Sequence, residues 1–512
     1  MIDILFITPN NSKKIYQDLS QKFSAIETPT WSLLLAQSCR SKGFAVKILD
    51  CLAEGLTNKE AFSKIAKINP RFLCFVVYGQ NVNAGTTNMS GATSLSKYLK
   101  KKITTPIGFI GSHTQALPLE TMKKESSIDI AFLNEGVYAL WNILALKEID
   151  IRNIRKIKGI AYRENNKIFF NQPEKNVQND RMDFDLPGYA WDLLPYKNNP
   201  LDLYRSPMWH AEYDENNRTP YAAIQTSLGR QFKCSFCMIN IINKDDNKKS
   251  GVANEYSGMR FWSPQFIIKE FDKLISMGVR TIKITDEMFL LNPKYYISLC
   301  EMLSERNKND ELRLWAYSRI DTVKNDVLTL VRKAGIKWLC LGIESADKNV
   351  RLEVSKGKFE DIDIKKIIEN IHAARIEVMA NYIFGLPEDT EKSINNTFQL
   401  SLDLCTLGWN AYAAMALPGS QLYKEAVEKK INLPPDYEGY SFHSYNTLPL
   451  SNKNLTAAQI LKFRDECFVK YHTYEPFLNK IRKKFGEKAI KNIENMTKIK
   501  LKRKIIEESE VS

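Results

Sequence analysis

The stretch TSLGRQFKCSFC, residues 226–237, decides how the rest of the chain is interpreted. It follows a short apolar run, Ala222–Thr226, and it contains Cys234 and Cys237, which form the one close pair among nine cysteines. A thioredoxin-like redox pair requires a βαβ pattern that is missing around it. A zinc site requires two further ligands at short spacing, and no second C-x2-C or suitable histidine pair is present. A purely structural pair is the third alternative, although a polar loop is an unusual place for one.

Outward from this loop, strand and helix patterns alternate through the middle of the chain. Six βα units of this kind predict an open partial (β/α)6 barrel, with its chemistry at the carboxyl ends of the strands. Helices are predicted between the strands, for example at 264–277, 293–306 and 362–374. The predicted strands are Ala222–Thr226, Thr281–Thr285, Arg313–Tyr317, Trp338–Gly342, Val378–Ile383 and Tyr412–Ala416.

The first 150 residues repeat the same alternation five times. The α/β pattern predicts a doubly wound, Rossmann-like parallel sheet, whose ligands bind beyond the carboxyl ends of the strands. Small and polar residues gather at those ends, although βα loops favour such residues in any case. No Gly-x-Gly-x-x-Gly follows the first strand, which argues against a dinucleotide. The predicted strands are Ile4–Ile7, Val46–Leu49, Phe72–Tyr78, Ile107–Ile110 and Ile130–Leu133.

Two further regions complete the predicted organisation. Residues 151–215 are a connector, in which 157–163 and 167–171 form a hairpin around Asn165 and Asn166. The barrel domain then spans 216–430, and 431–512 is a helical, lysine-rich C-terminal region.

The composition of the chain indicates a globular protein and argues against some classes of function. The chain has 512 residues, 44% hydrophobic and 26% charged, which is typical of globular proteins with two or three domains. It has no membrane-length apolar run and no basic region at its N-terminus, so we expect a cytoplasmic protein without a signal peptide. The seven isolated cysteines are expected to be reduced core residues. A net charge of +14 is compatible with a polyanionic partner, but no RNA-binding motif accompanies it, and lysine-rich solvated faces explain it equally.

The loop at 226–237 resembles that of the cobalamin (B12)-binding radical S-adenosylmethionine (SAM) proteins. Their loop has the form C-x3-C-x2-C, and its three thiolates hold three irons of a [4Fe–4S] cluster. Cys234 and Cys237 match the second and third positions, and Phe236 matches an aromatic residue that packs beside the adenine. Arg230 stands at the first position. Since a guanidinium stays protonated and is a very poor metal ligand, a weakened or lost cluster is expected.

Downstream segments resemble the same family in order, over roughly residues 1–430. Asp286-Glu287, Arg319, the Gly-x-Glu segment at 342–344, the Gly-Leu-Pro-Glu-Asp run at 385–389 and Pro-Gly-Ser at 418–420 each end a barrel strand. Singly, such residues are explained equally by salt bridges or helix caps. By resemblance, the SAM-binding residues are Phe236, Glu287, Arg319, Gly342, Glu344, Ser345, Ile383 and Gly385.

The N-terminal loops resemble the family's cobalamin-facing loops. The Asp-x-His-x-x-Gly motif that gives cobalt a histidine is absent, so His113 is expected to line the corrinoid without ligating cobalt, or else to cap the next helix. By resemblance, the cobalamin-binding residues are Thr8, Pro9, Thr30, Tyr78, Gly79, Gln80, Asn81, Gly111, Ser112, His113, Asn134, Glu135 and Gly136.

The resemblance implies a B12-dependent radical SAM enzyme, most commonly a methyltransferase acting on an unactivated carbon or phosphorus through a 5′-deoxyadenosyl radical. The implied cofactors are a [4Fe–4S] cluster, SAM and cobalamin. The implied partners are a small-molecule or natural-product-like substrate and a reductant such as flavodoxin or ferredoxin, with no nucleic acid or membrane. Ring contractions and cyclisations also occur in the family. The alternative is a non-catalytic or regulatory corrinoid-binding protein whose cluster site has degenerated at Arg230.

Overall fold

The computed structural model describes residues 1–79, 84–211, 218–229, 232, 234–238, 258–355 and 361–511. Gln80, Asn81 and Arg230, which the sequence analysis assigned to binding sites, lie outside the described residues. The described chain forms two large sheets, one in its N-terminal part and one in its middle, followed by a group of helices.

The first sheet has the strand order β2-β1-β3-β4-β5-β6-β7. The first five strands are parallel, and the order reverses between β1 and β3, which is where sheets of this class bind ligands. Alternate residues of β1 enter opposite cores: Ile4 and Phe6 pack on one face, and Leu5 and Ile7 on the other. The predicted doubly wound sheet is therefore confirmed. Its strands are β1 Ile4–Thr8, β2 Val46–Asp50, β3 Phe72–Val76, β4 Ile107–Ile110, β5 Ile130–Phe132, β6 Ile160–Glu164 and β7 Lys167–Phe170.

Helices cover both faces of this sheet. Local sequence fixes some of their bounds: Thr57 and Glu60 form a capping box that starts α4, and Pro118 opens α7. The helices of this part are α1 Ser12–Tyr16, α2 Leu19–Lys22, α3 Thr30–Ser41, α4 Asn58–Ile68, α5 Gly85–Lys100, α6 Ser112–Ala116, α7 Pro118–Lys124, α8 Val137–Leu144, α9 Ile151–Ile154 and α10 Met182–Asp185.

The predicted hairpin is present, and its position extends the first sheet. Asn165 and Asn166 both adopt positive φ, 45° and 61°, as a two-residue hairpin turn requires. Strand β6 pairs antiparallel with β5, so residues 160–170 form the edge of the N-terminal sheet and continue it beyond residue 150.

The middle sheet is the predicted open barrel of six parallel strands, in the order β15-β14-β13-β12-β11-β8. A two-stranded antiparallel ribbon, β9 with β10, follows the first of these strands. The strands are β8 Tyr221–Ile224, β9 Ser227–Leu228, β10 Arg260–Phe261, β11 Thr281–Ile284, β12 Arg313–Arg319, β13 Ile336–Glu344, β14 Glu377–Phe384 and β15 Gly408–Ala413.

The last strand differs from its prediction. We expected Tyr412–Ala416, whereas β15 begins at Gly408 and ends at Ala413. The apolar run Ala413–Leu417 suggested a strand, but alternation places Asn410 and Tyr412 on one face of the true strand, and the apolar run continues into the following loop.

Helices surround the barrel and fill the C-terminal region. None of the described helices is long and apolar enough to cross a bilayer. All nine cysteines are free and buried, which agrees with the prediction that the seven isolated ones are reduced core residues. The helices are α11 Pro264–Ser276, α12 Pro293–Arg306, α13 Leu328–Lys333, α14 Lys348–Val354, α15 Ile364–Ala373, α16 Glu391–Leu404, α17 Gln421–Glu428, α18 Ala457–His472, α19 Glu475–Phe485, α20 Glu487–Thr497 and α21 Lys504–Val511.

Candidate active site

The polar loops of the first sheet converge at its carboxyl edge. Trp31, at the start of α3, stacks on Tyr78 with ring centroids 4.7 Å apart. The Tyr78 hydroxyl accepts a hydrogen bond from Gln115 Nε2 in the loop region after β4. Gln115 Oε1 is buried and has no hydrogen-bond partner among the described residues. An unsatisfied buried acceptor at this edge fits a ligand that carries amide donors.

The other predicted cobalamin residues lie at the same edge. Thr8 ends β1 with Pro9 after it, Thr30 begins α3, and Gly79 directly follows Tyr78. Gly111 and Ser112 follow β4, and the segment 134–136 follows β5. The structure therefore gathers the predicted residues that it describes at one edge; their contact with cobalamin stays a prediction.

His113 is held inside the protein as a neutral imidazole. Its Nδ1 lies 3.1 Å from Thr86 Oγ1, and its ring meets that of Tyr437 edge-on with centroids 5.2 Å apart. Burial, with a smaller contribution from Lys124, lowers the pKa of His113 to about 3. His113 lies within α6, whose N-cap residue is Gly111. Its expected place beside a corrinoid stays a prediction.

The loop at 226–238 is anchored on both sides in the barrel. Ser235 N donates to Val354 O at 2.9 Å, and Leu422 N donates to Ser235 O at 3.0 Å. Cys234 and Cys237 are both buried, and Cys237 N donates to Cys234 O at 3.2 Å, so the two thiols lie in one tight turn. No group of three or more potential metal ligands occurs in the part of the chain that the structure describes. The described donor set therefore offers two of the three thiolates that a [4Fe–4S] loop uses.

Asp286 holds the base of this loop. Its carboxylate accepts hydrogen bonds from Thr226 N, Thr226 Oγ1 and Ser227 Oγ, each at 2.6 Å. Burial raises the pKa of Asp286, although these hydrogen bonds oppose the shift. Its neighbour Glu287, the predicted SAM residue, is only partly buried at the end of β11. Asp286 therefore positions the base of the loop, and the contact of Glu287 with SAM stays a prediction.

Beside the cysteine turn lies an apolar cluster suited to a flat ring. Phe236 packs against Ile383 and Ala414 at the ends of neighbouring strands and against Val350 and Val354 in α14. Asp389 accepts hydrogen bonds from Gly385 N at 3.1 Å and Leu386 N at 2.9 Å, which fixes the loop after β14. The predicted residues Phe236, Ile383 and Gly385 are therefore brought to one side of the loop.

The Gly-x-Glu segment forms a bulge at the end of β13. The pairing with β14 shifts register between Gly342 and Glu344, and Glu344 adopts a φ of 66°. A Cβ at residue 342 would lie 2.5 Å from Glu344 Oε1, so any larger residue would require the carboxylate to move from this position. Ser345 is fully buried, with its Oγ 3.1 Å from Thr397 Oγ1. This strained turn presents the Glu344 carboxylate at the strand end, and backbone strain of this kind is typical of functional sites.

Arg319 forms a buried bidentate pair with Asp321, at 2.5 Å for both hydrogen bonds. Its guanidinium also lies over the Phe232 ring, 3.8 Å from the centroid. Both side chains line a cavity of about 210 Å³ together with Leu290, Tyr296 and Lys324. Arg319 therefore links the loop at 226–238 to β12.

The sequence analysis missed a set of polar residues inside the barrel. Lys283, in the middle of β11, forms a buried ion pair with Glu27 of the N-terminal part at 2.8 Å. Tyr221 OH also donates to this carboxylate, at 3.1 Å. Asn410 Nδ2 donates to Tyr412 OH on β15. Lys283 within an otherwise apolar strand could have indicated this polar set, because a buried lysine requires a partner of opposite charge.

The sequence of this chain is similar to a known domain family and to several known proteins. Residues 228–401 match the model of the radical SAM superfamily. An uncharacterized methyltransferase of Pyrococcus horikoshii is 26% identical over 438 residues, covering 83% of this chain and 84% of the relative. An anaerobic magnesium-protoporphyrin IX monomethyl ester cyclase of Cereibacter sphaeroides is 22% identical over 476 residues, covering 90% and 68%.

Two solved structures share the whole architecture. The radical SAM methyltransferase TsrM from Kitasatospora setae, with cobalamin and a [4Fe-4S] cluster bound, has a TM-score of 0.65 at 14% identity, covering 92% of this chain and 88% of that one. The cobalamin-dependent SAM radical enzyme OxsB, with aqua-cobalamin and SAM bound, has a TM-score of 0.66 at 13% identity, covering 97% and 71%. Residues 228–401 thus match a radical SAM domain, and the chain as a whole has the fold of these two enzymes, with a parallel α/β sheet before the barrel.

Proposed function

We propose that this protein is a cobalamin- and SAM-dependent methyltransferase that acts on an unactivated carbon or phosphorus of a small-molecule or natural-product-like substrate. The observation that carries the proposal is the joining of two sites: the polar carboxyl edge of the first sheet contacts the barrel next to the cysteine loop. When bound, cobalamin would supply the methyl group and SAM the radical that removes a hydrogen atom from the substrate.

The first sheet suits a corrinoid better than a nucleotide. Its strand order places the ligand crevice between β1 and β3, bordered by Thr8 and Tyr78. No glycine-rich phosphate loop follows β1, whereas the orphan Gln115 Oε1 offers an acceptor to a side-chain amide of the corrin ring. The neutral His113, with its Nδ1 directed to Thr86, lines this edge.

The barrel supplies a place for SAM. The Glu344 carboxylate on its glycine-dependent bulge is suited to the SAM amino group, and the apolar cluster around Phe236 is suited to the adenine. Cys234 and Cys237 would contribute two thiolates to an iron–sulfur cluster. Arg230 contributes no thiolate, so the residues present do not complete the usual three-cysteine site. A reductant such as flavodoxin or ferredoxin is part of the proposal if the cluster assembles.

The alternative function is a non-catalytic or regulatory corrinoid-binding protein. Arg230 is the observation that favours it, since a protonated guanidinium does not ligate iron. The retention of both cysteines and of the Glu344 bulge favours the enzyme, because paired thiols without a ligand are an oxidation liability. The two functions differ in whether SAM is cleaved reductively.

The deciding experiment compares wild type with Arg230→Cys after anaerobic reconstitution with iron and sulfide. The readouts are iron content, electron paramagnetic resonance and 5′-deoxyadenosine formed with dithionite. We expect the substitution to increase iron content and SAM cleavage, because it adds the third thiolate at the family spacing. A matched Arg230→Ser variant removes the cation without adding a thiolate and should stay as low as wild type.

Two outcomes would contradict the proposal. A variant that assembles a complete cluster and still forms no 5′-deoxyadenosine would support the non-catalytic protein. Equal, high cleavage in wild type and variant would show that Arg230 is tolerated, and would contradict the expected weakening of the cluster.

A further inference from the structure

A buried ion pair joins the two candidate cofactor regions. Glu135, after β5 of the first sheet, faces Arg260, in β10 beside the cysteine loop. The pair is bidentate: Arg260 Nη1 lies 3.0 Å from Glu135 Oε1, and Nη2 lies 2.8 Å from Oε2. Both side chains are 1% exposed. A buried ion pair stabilises the fold only when its hydrogen-bond geometry is close to ideal, because the attraction must offset the desolvation of both charges.

The Arg260 end of the pair belongs to the base of the cysteine loop. Arg260 is registered opposite Leu228 and Phe261 opposite Ser227 in the β9–β10 ribbon. Phe261 packs on Tyr295, with ring centroids 4.7 Å apart, and Tyr295 OH donates to Thr226 O at 2.7 Å. A displacement of Arg260 therefore displaces the strand from which the loop departs.

The Glu135 end belongs to the edge where cobalamin is proposed to bind. Its neighbour Gly136 is fixed by a hydrogen bond from its N–H to Asn134 Oδ1 at 2.9 Å, and Asn134 Nδ2 donates to Glu174 O at 2.8 Å. The pKa of Tyr78 is raised mainly by burial and further by the charge of Glu135, which places this carboxylate close to the Trp31–Tyr78 stack. A ligand on this edge would contact the loop that carries Glu135.

We propose that Glu135 and Arg260 are positioning residues that transmit occupancy of the cobalamin edge to the cysteine loop. The inference rests on the proposed function in one respect, that cobalamin binds at this edge. A bound corrinoid fixes the 134–136 loop, the fixed carboxylate holds Arg260 in its bidentate geometry, and Arg260 holds the β9–β10 ribbon. Cobalamin binding thereby stabilises the ribbon from which the cysteine loop departs.

The test measures amide hydrogen exchange of the full-length protein with and without hydroxocobalamin, while absorbance titration monitors binding. Peptides containing residues 226–229 and 258–262 report on the ribbon, independently of any cluster or activity. In wild type, cobalamin is expected to slow their exchange about tenfold, which corresponds to an ordinary coupling free energy. In Arg260→Met, which alters no predicted cobalamin-binding residue, this slowing is expected to fall below about twofold while cobalamin still binds. In Glu135→Gln the slowing is expected to fall as well, and the titration shows whether cobalamin binding falls with it.

A matched control uses the other buried ion pair between the same two regions. The double variant Glu27→Gln/Lys283→Met removes a pair that joins the N-terminal part to β11, a strand outside the β9–β10 ribbon. It should keep the wild-type response of the ribbon peptides. A loss of response in this control would show that any weakening of the domain contact suffices, and would overturn the specific role of Glu135 and Arg260.

The remaining outcomes separate this inference from the proposed function. If wild type binds cobalamin and the ribbon does not respond, the coupling is refuted and the proposed function stands. If wild type does not bind cobalamin, the proposed function itself is refuted. If Arg260→Met, which lies outside the corrinoid edge, keeps the tenfold response, the ion pair is not the link. If Glu135→Gln fails to fold or to bind, Arg260→Met alone decides.

Discussion

Acidification should destabilise this protein well above the pH at which carboxylates are protonated, because all five histidines have pKa values lowered by burial. The pKa is about 3 for His113 and His210 and about 4 for His472. In the unfolded chain these groups titrate near 6.5. Their contribution to stability is therefore fully present above pH 6.5 and is lost as the pH falls toward the folded pKa values.

The magnitude is worked from these three histidines, which are at most 5% exposed. His443 is more exposed, but its pKa is also lowered to about 3, so it adds to the loss. Between pH 7 and pH 5 each of the three histidines lowers the free energy of unfolding by about 2 kcal/mol, since it binds a proton in the unfolded chain and stays neutral in the folded one. Asp50 opposes them, because its pKa is raised by burial to about 6 and it becomes protonated first in the folded state. Its contribution over the same range is about 1 kcal/mol, which leaves a net loss of about 4 to 5 kcal/mol. That is a large fraction of the stability of an ordinary domain.

Urea unfolding of the cofactor-free chain, followed by tryptophan fluorescence at pH 7, 6 and 5, measures this loss. The midpoint should fall steadily, with about two protons taken up on unfolding near pH 5.5. His472→Gln should reduce the proton uptake by about one, whereas Asp50→Asn should increase it. A midpoint that is unchanged or higher at pH 5 would refute the assignment of these histidines as buried and neutral.

Three further predictions concern the site itself. Glu27→Gln should destabilise the protein by about 3–5 kcal/mol, since it leaves the Lys283 charge buried alone, and adding Lys283→Met should recover much of that loss in a denaturation experiment. Gly342→Ala should weaken SAM binding in calorimetry at least about tenfold with little change in the far-ultraviolet spectrum, because the new methyl group displaces the neighbouring carboxylate; unchanged affinity would remove that carboxylate from the SAM site. Asp286→Asn should speed proteolytic cleavage within residues 226–260 while cleavage elsewhere stays unchanged, since one of the two carboxylate oxygens that accept its three hydrogen bonds becomes an amide donor; uniform acceleration would indicate general destabilisation instead.

The repeating elements were predictable because their determinants are local. The start of the helix Asn58–Ile68 is determined locally, since Thr57 before it forms a capping box with Glu60. The hairpin at Asn165 and Asn166 was predictable for the same reason, as asparagine tolerates the positive φ that the turn needs. The last barrel strand was misplaced because an apolar run outside it satisfied the same pattern as a buried strand.

The sequence pattern did not predict which side chains within the site contact each other. Glu135 was predicted as a ligand of cobalamin from its loop, but the residue it contacts, Arg260, lies 125 positions later. The same holds for Glu27 and Lys283, which are separated by 256 positions. The local sequence around either partner does not predict the other, because the contact exists only once both sheets are folded and packed.

The sequence by itself determined the two alternating βα series, the cysteine turn with its arginine, and the order of the polar strand ends. Hydrophobic periodicity, turn residues and short motifs act over a few positions, so each can be recognised without the fold. The tertiary structure alone decided that the hairpin extends the first sheet, that Asp286 supports the cysteine loop, and that Arg260 joins this loop to the first sheet. Those features depend on desolvation and on bidentate geometry between distant segments, and both arise only when the chain encloses the charges and fixes their positions.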